Sequence, residues 1–193
     1  LNIYLRILDN KEDKKRYNER YGISKITRPH GHLIWVHAAS IGEFKSVSTI
    51  IEKLHKKFTI LVTTTTLTAS NYAIDHFGDK IIHQYSPLDI RIWVNRFLNK
   101  WQPSLVLWIE SDLWPTTLSL IKKKSIKSFL INSRISPHSF NKWKYIRGFF
   151  MKFLQNVHLK SSKLARNSFQ SGRWGIGEAA RFLRISGCVR IPA

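Results

Sequence analysis

A chain of 193 residues, 43% of them hydrophobic, can bury one sizeable core; this excludes global disorder and points to one domain with ragged ends. A single cysteine, Cys188, excludes an internal disulfide framework and a four-thiolate metal site, and no apolar run is long enough to cross a bilayer. The formal charge of +20 is unevenly spread: residues 1–112 carry 16 Lys/Arg against 11 Asp/Glu, whereas residues 113–193 carry 16 against Glu178 alone.

In chain order, the apolar stretch Leu1–Leu8 precedes a charged run from Asp9 to Arg20, and reads either as the tail of an anchor or as a frayed surface helix. Leu33–Ala38 reads as a buried strand, followed by a helix from Glu43 to about Lys57. The β-branched run Thr59–Thr65 predicts a second strand, and a helix over Ala69–Phe77 stops at Gly78. Ile81–Tyr85 is a third strand. Asp89 then has the chemistry of an N-cap for a helix to Lys100, with Ile90, Trp93, Val94, Phe97 and Leu98 on one face. Ser104–Ile109 predicts a fourth strand, Pro115–Lys124 a helix, Ile126–Ile131 a fifth strand, and Phe140–Leu154 a long basic, aromatic helix. Strands alternating with helices in this way predict an α/β fold: a Rossmann-like parallel sheet with helices on both faces.

Open parallel sheets bind ligands beyond the carboxyl ends of their strands. The residues that follow those ends are Ser40, Gly42 and Glu43; Thr64, Thr65 and Thr66; Ser86, Pro87 and Asp89; Glu110, Ser111 and Asp112; and Asn132, Ser133 and Arg134. Four carboxylates, an arginine and several hydroxyls thus converge on one edge. Glu43 follows a glycine at a helix start, where the dipole favours an anion; it can cap its helix or act as a base. Glu110 ends an apolar strand, where a carboxylate needs a partner; an ion pair with Arg134 is the structural alternative to a catalytic role. Asp112 suits an N-cap, and His37, on a buried strand, suits a core or cleft histidine. The eight histidines show no metal-ligand spacing. Gly175-Ile176-Gly177-Glu178-Ala179-Ala180 imitates a nucleotide loop, but no strand precedes it.

Four segments, in this order and spacing, resemble one family: His37-Ala38-Ala39-Ser40-Ile41-Gly42-Glu43, Val62-Thr63-Thr64-Thr65-Thr66, Ile109-Glu110-Ser111-Asp112-Leu113-Trp114-Pro115 and Asn132-Ser133-Arg134-Ile135-Ser136. Arg16–Gly22 and Arg28-Pro29-His30-Gly31 resemble it too. The family is that of the 3-deoxy-D-manno-octulosonic acid (Kdo) transferases of Gram-negative bacteria, and the resemblance covers about residues 10–155 of its N-terminal domain. It implies the N-terminal half of a GT-B glycosyltransferase, which transfers Kdo from CMP-Kdo to a hydroxyl of the lipid A precursor in lipopolysaccharide biosynthesis. By motif, it implies Glu43 as the proton acceptor, Glu110 as the stabiliser of the transition state, and Ser40 and Arg134 on the acceptor side. It implies no cofactor and no metal, CMP-Kdo being the donor substrate. A location on the cytoplasmic face of the bacterial inner membrane also follows from it.

The resemblance divides the chain into residues 1–30, a segment after a lost or partial membrane anchor; 31–155, the Rossmann-like acceptor-side domain; and 156–193, a divergent basic tail whose arginines resemble out-of-frame translation as much as a folded element. The CMP-binding donor domain is absent from these residues, so the chain reads as truncated and inactive alone. The one-sided charge attracts polyanions, which suits a phosphorylated acceptor and an anionic membrane surface. A solvated basic face is the bland alternative, and a non-catalytic module binding anionic lipid or phosphorylated glycolipid through residues 140–170 is the functional one. No RNA- or DNA-binding motif accompanies the charge, so nucleic acid is not an expected partner.

Overall fold

In the computed structural model the structure describes residues 3–9, 11–109 and 114–131. It contains the short helix α1 (Ile3–Leu8) and a 3-10 turn at Tyr17–Tyr21, followed by β1 (Leu33–His37), α2 (Ile41–Leu54), β2 (Thr59–Thr64) and α3 (Leu67–Phe77). A second 3-10 turn at Gly78–Lys80 leads to β3 (Ile82–Tyr85), α4 (Arg91–Trp101), β4 (Leu105–Ile109), α5 (Pro115–Lys123) and β5 (Lys127–Ile131). All five strands are parallel, in the order β3-β2-β1-β4-β5. The expected Rossmann-like sheet is present, with element ends within a few residues of the predicted ones. The expected helix at 140–154 lies outside the described residues.

Because β1–β3 build outward on one side and β4 returns to the other side of β1, the direction of winding switches between β1 and β4. That is where open sheets leave a crevice. One core layer joins Ile34, Val36, Ile60, Val62 and Leu107 to Phe44, Val47 and Ile51 of α2 and Phe77 of α3. The opposite layer joins Leu33, Trp35, Leu61, Val106 and Trp108 to Val94, Phe97 and Trp101 of α4 and Leu118 and Ile121 of α5. The period-2 alternation of the strands thus sends odd residues of β1 to one pair of helices and even residues to the other.

The α4 face differs in detail from its predicted stripe. Val94, Phe97 and Leu98 are buried with Trp101, whereas Ile90 is 45% exposed and precedes the helix. Trp93 instead meets Tyr21 edge to face, with ring centroids 4.8 Å apart.

The charged run after α1 carries buried ion pairs. Arg20 and Glu12 are both buried and paired at 2.8 Å, and Arg6 reaches the second Glu12 oxygen at 3.1 Å. Two neighbours in this segment hold the outer edge of β3: Arg16 donates to the His83 carbonyl at 2.8 Å, and Glu19 accepts the Tyr85 N–H at 2.7 Å. The segment ends at Gly22, whose φ of 71° is left-handed and whose Cα presses against α4.

Candidate active site at the carboxyl ends of the strands

β1 ends at His37, and Ala38–Ser40 turn the chain into α2. Ser40 is the N-cap: its backbone is extended, and its Oγ accepts the N–H of Glu43 at 3.3 Å. In return, Glu43 Oε2 accepts the N–H of Ala39 at 2.5 Å. This is a capping box displaced by one residue, since the acid reaches the amide before the cap rather than that of the cap itself. Glu43 is 8% exposed at the first turn of α2, where the aligned peptide dipoles favour its negative form. The capping bonds hold the Glu43 carboxylate at the sheet edge.

The turn after β2 is tied to this one. Thr65 donates twice to the Ala39 carbonyl, from its N–H at 3.1 Å and its Oγ1 at 2.8 Å. Thr66 caps α3 through Ala69 N–H at 3.2 Å, so the threonine run does separate jobs residue by residue. Arg20 donates to the Thr65 carbonyl at 2.7 Å and to the Ser86 carbonyl at 3.1 Å, lacing the ends of β2 and β3. Its guanidinium lies 5.0 Å from the centre of the buried Tyr85 ring.

Asp89 departs from its expected role. It caps α5, not α4: Oδ2 accepts Thr116 N–H at 3.0 Å, while Oδ1 accepts both N–H and Oγ1–H of Thr117 at 2.7 Å. Neither Ile90 at the start of α4 nor Trp114 at the start of α5 caps its helix with its own side chain. A carboxylate on the β3–α4 turn thus satisfies the orphan donors of the neighbouring helix.

His37 is buried among aromatic rings, 4.2 Å from that of Trp108 and 5.1 Å from that of Trp114 between centroids. Its Nδ1 pairs with Thr63 Oγ1 at 2.9 Å, while Nε2 has no partner among the described residues. Burial, helped by the Arg20 charge, lowers its pKa to about 3, which keeps it neutral. Across β2, His83 is neutral for the same reason, its pKa lowered to about 3 by burial and then by the Arg16 and Arg20 charges. Its tautomer follows from its neighbours: Arg16 can only donate, so Nδ1 accepts at 3.1 Å and Nε2–H donates to Thr64 Oγ1 at 2.9 Å.

Of the residues expected in the site, Ser40 and Glu43 lie together on the β1–α2 turn, beside the switch point. Glu110 and Arg134 lie outside the described residues, although β4, which leads into Glu110, pairs directly with β1. Sequence reasoning missed Arg20 and Glu12, whose bonds run mostly to backbone carbonyls and to each other. Their place in the charged run Asp9–Arg20, and that of Arg20 in the family-like segment Arg16–Gly22, were the signals that pointed to them.

Residues 15–171 match the family described as 3-deoxy-D-manno-octulosonic-acid transferase (kdotransferase), in its glycosyltransferase N-terminal part. A 3-deoxy-D-manno-octulosonic acid transferase of Rickettsia bellii is 36% identical over 157 residues, covering 80% of this chain and 37% of the relative. A probable mitochondrial 3-deoxy-D-manno-octulosonic acid transferase of Arabidopsis thaliana is 35% identical over 146 residues, covering 74% of this chain and 33% of the relative. The transferase of Haemophilus influenzae is 28% identical over 182 residues, 92% of this chain and 42% of that protein. The chain therefore spans between a third and somewhat over two fifths of the length of these relatives. A match over most of its length, resting on the Rossmann-like sheet that carries Ser40 and Glu43, establishes that this chain belongs to the Kdo transferase family.

Proposed function

We propose that this chain is the acceptor-side half of a GT-B Kdo transferase and that Glu43 removes the proton from the attacking hydroxyl. The observation that carries the reading is the placement of the Glu43 carboxylate at the carboxyl end of β1, held by Ala39 N–H, in a chain of this family. A sugar hydroxyl is a weak nucleophile; a carboxylate within hydrogen-bond reach takes its proton as the oxygen bonds the anomeric carbon of Kdo and CMP departs with the electron pair. Glu110, which follows β4 directly, is assigned to stabilising charge in the transition state, and Ser40 and Arg134 to the acceptor. The acceptor is the lipid A precursor and the donor CMP-Kdo. The excess of Lys and Arg after residue 112 suits phosphates on the acceptor and the anionic cytoplasmic face of the inner membrane. Among the described residues no helix is long and apolar enough to cross a membrane.

The test is transfer of Kdo from CMP-Kdo to the lipid A precursor by a fusion of this chain's matched region to the remaining C-terminal part of the Rickettsia bellii relative. Glu43→Gln is expected to lower kcat by roughly a hundredfold or more, with an unchanged circular dichroism spectrum. Turnover within about threefold of the parent would overturn the assignment of the base.

A further inference from the structure

A base works only if its carboxylate is held close to the productive geometry, and a glutamate has three torsions to lose. Glu43 is held by the N–H of Ala39, which is itself past the end of the regular ladder of β1. What fixes Ala39 is therefore part of what fixes Glu43. The peptide on one side is anchored by Ala38 N–H to the Thr63 carbonyl at 3.0 Å, and on the other the Ala39 carbonyl takes both donors of Thr65. Thr65 is in turn one residue past the end of β2, and its own carbonyl is taken by Arg20. Arg20 is 3% exposed, bound through Nε and Nη2 to one oxygen of Glu12 and through Nη1 to Ser86.

These bonds form one unbroken line: Glu12, Arg20, the Thr65 carbonyl, the Thr65 N–H and hydroxyl, the Ala39 carbonyl, the Ala39 N–H and the Glu43 carboxylate. We propose that Arg20 and Thr65 are positioning residues for Glu43, acting through Ala39. The proposal rests on the reading of Glu43 as the base, but the geometric link it names can be measured without turnover. Lysine cannot replace Arg20, because three donors on one nitrogen cannot reach Glu12, Thr65 and Ser86 together in the geometry of a planar fork. Valine at 65 keeps the backbone donor and the branched shape while removing the hydroxyl that completes the pair on Ala39.

The first measurement is the amide resonance of Ala39 in the nitrogen-15-labelled 193-residue chain. Glu43→Gln should move its proton upfield, as a neutral acceptor replaces a charged one. Thr65→Val and Arg20→Lys should shift it in the same direction and speed its hydrogen exchange by about tenfold, whereas Thr65→Ser restores the parent values. In the transferase fusion, Thr65→Val should lower kcat by about tenfold with KM for CMP-Kdo unchanged, again rescued by serine. An Ala39 resonance that responds to Glu43→Gln but to neither Thr65→Val nor Arg20→Lys overturns the link. So does a kcat untouched by Thr65→Val where Glu43→Gln abolishes transfer. If instead Glu43→Gln leaves transfer intact, the base assignment fails and takes the catalytic role of Arg20 and Thr65 with it, whatever the amide shows.

Discussion

Asp89 Oδ1 lies 2.7 Å from both the backbone nitrogen and the hydroxyl of Thr117, so a turn after the third strand closes the start of a helix that follows the fourth. Local pattern made Asp89 a cap for its own helix. The cross-connection wins because α5 opens with Trp114 and Pro115, neither of which can accept an N–H with its side chain. Asp89→Ala should cost about 1–2 kcal/mol in urea unfolding and speed amide exchange in the first turn of α5. Asp89→Asn, which keeps one carboxamide oxygen, should recover part of that loss.

Glu43 has an anchoring role that is separable from the proton uptake proposed for it. Glu43→Ala removes the acceptor for Ala39 N–H at a buried site and should cost about 1–2 kcal/mol of stability. Glu43→Gln presents an amide oxygen to the same N–H and should remain within about 1 kcal/mol of the parent. Denaturant midpoints of the two variants against the parent check this directly, without any substrate.

Gly22→Ala should be among the most damaging single substitutions in the described residues. At φ 71° a Cβ would sit 2.2 Å from the Trp93 carbonyl oxygen, and that atom is helix backbone, not a side chain able to turn away. A cost of about 3 kcal/mol or more is expected, read as a large drop in thermal midpoint.

Stability should fall as the solution is acidified below neutrality. His37 and His83 have folded pKa values lowered to about 3, so between there and 6.5 the unfolded chain binds two protons that the folded chain refuses. The contribution of the neutral rings is complete above 6.5 and is lost as pH falls towards 3, at up to about 1.4 kcal/mol per pH unit for each ring. Glu19 runs the other way: burial raises its pKa against the pull of Arg16 and the Tyr85 N–H, so its contribution is lost as pH rises from 4.5. A net loss is therefore expected as pH falls below about 6.5, measured as unfolding free energy in urea.

The sheet was legible because parallel strands covered on both faces become short apolar runs, and Leu33–Val36 and Leu105–Ile109 are such runs without interruption. Ser40 and Glu43 were legible for a different reason: their bonds span three or four residues, a distance that a capping pattern encodes. Arg20 was not, since its partners Thr65 and Ser86 are 45 and 66 residues away and are carbonyls, which every residue possesses. Ile90 was misplaced because helical periodicity cannot tell the last residue of a turn from the first of a helix.

The side chains of Arg16 and Glu19 occupy the hydrogen-bonding groups of β3 that a sixth strand would otherwise use. A bare strand rim is a template for any extended peptide, and proteins commonly guard such rims with charge. Here the guard is supplied by the stretch just ahead of the first strand, in the form of two ions that pair with each other at 2.9 Å while they cover the rim. That stretch therefore does more than lead into the domain: it occupies the β3 rim, and a proteolytic cut that freed it would leave that rim open to an added strand.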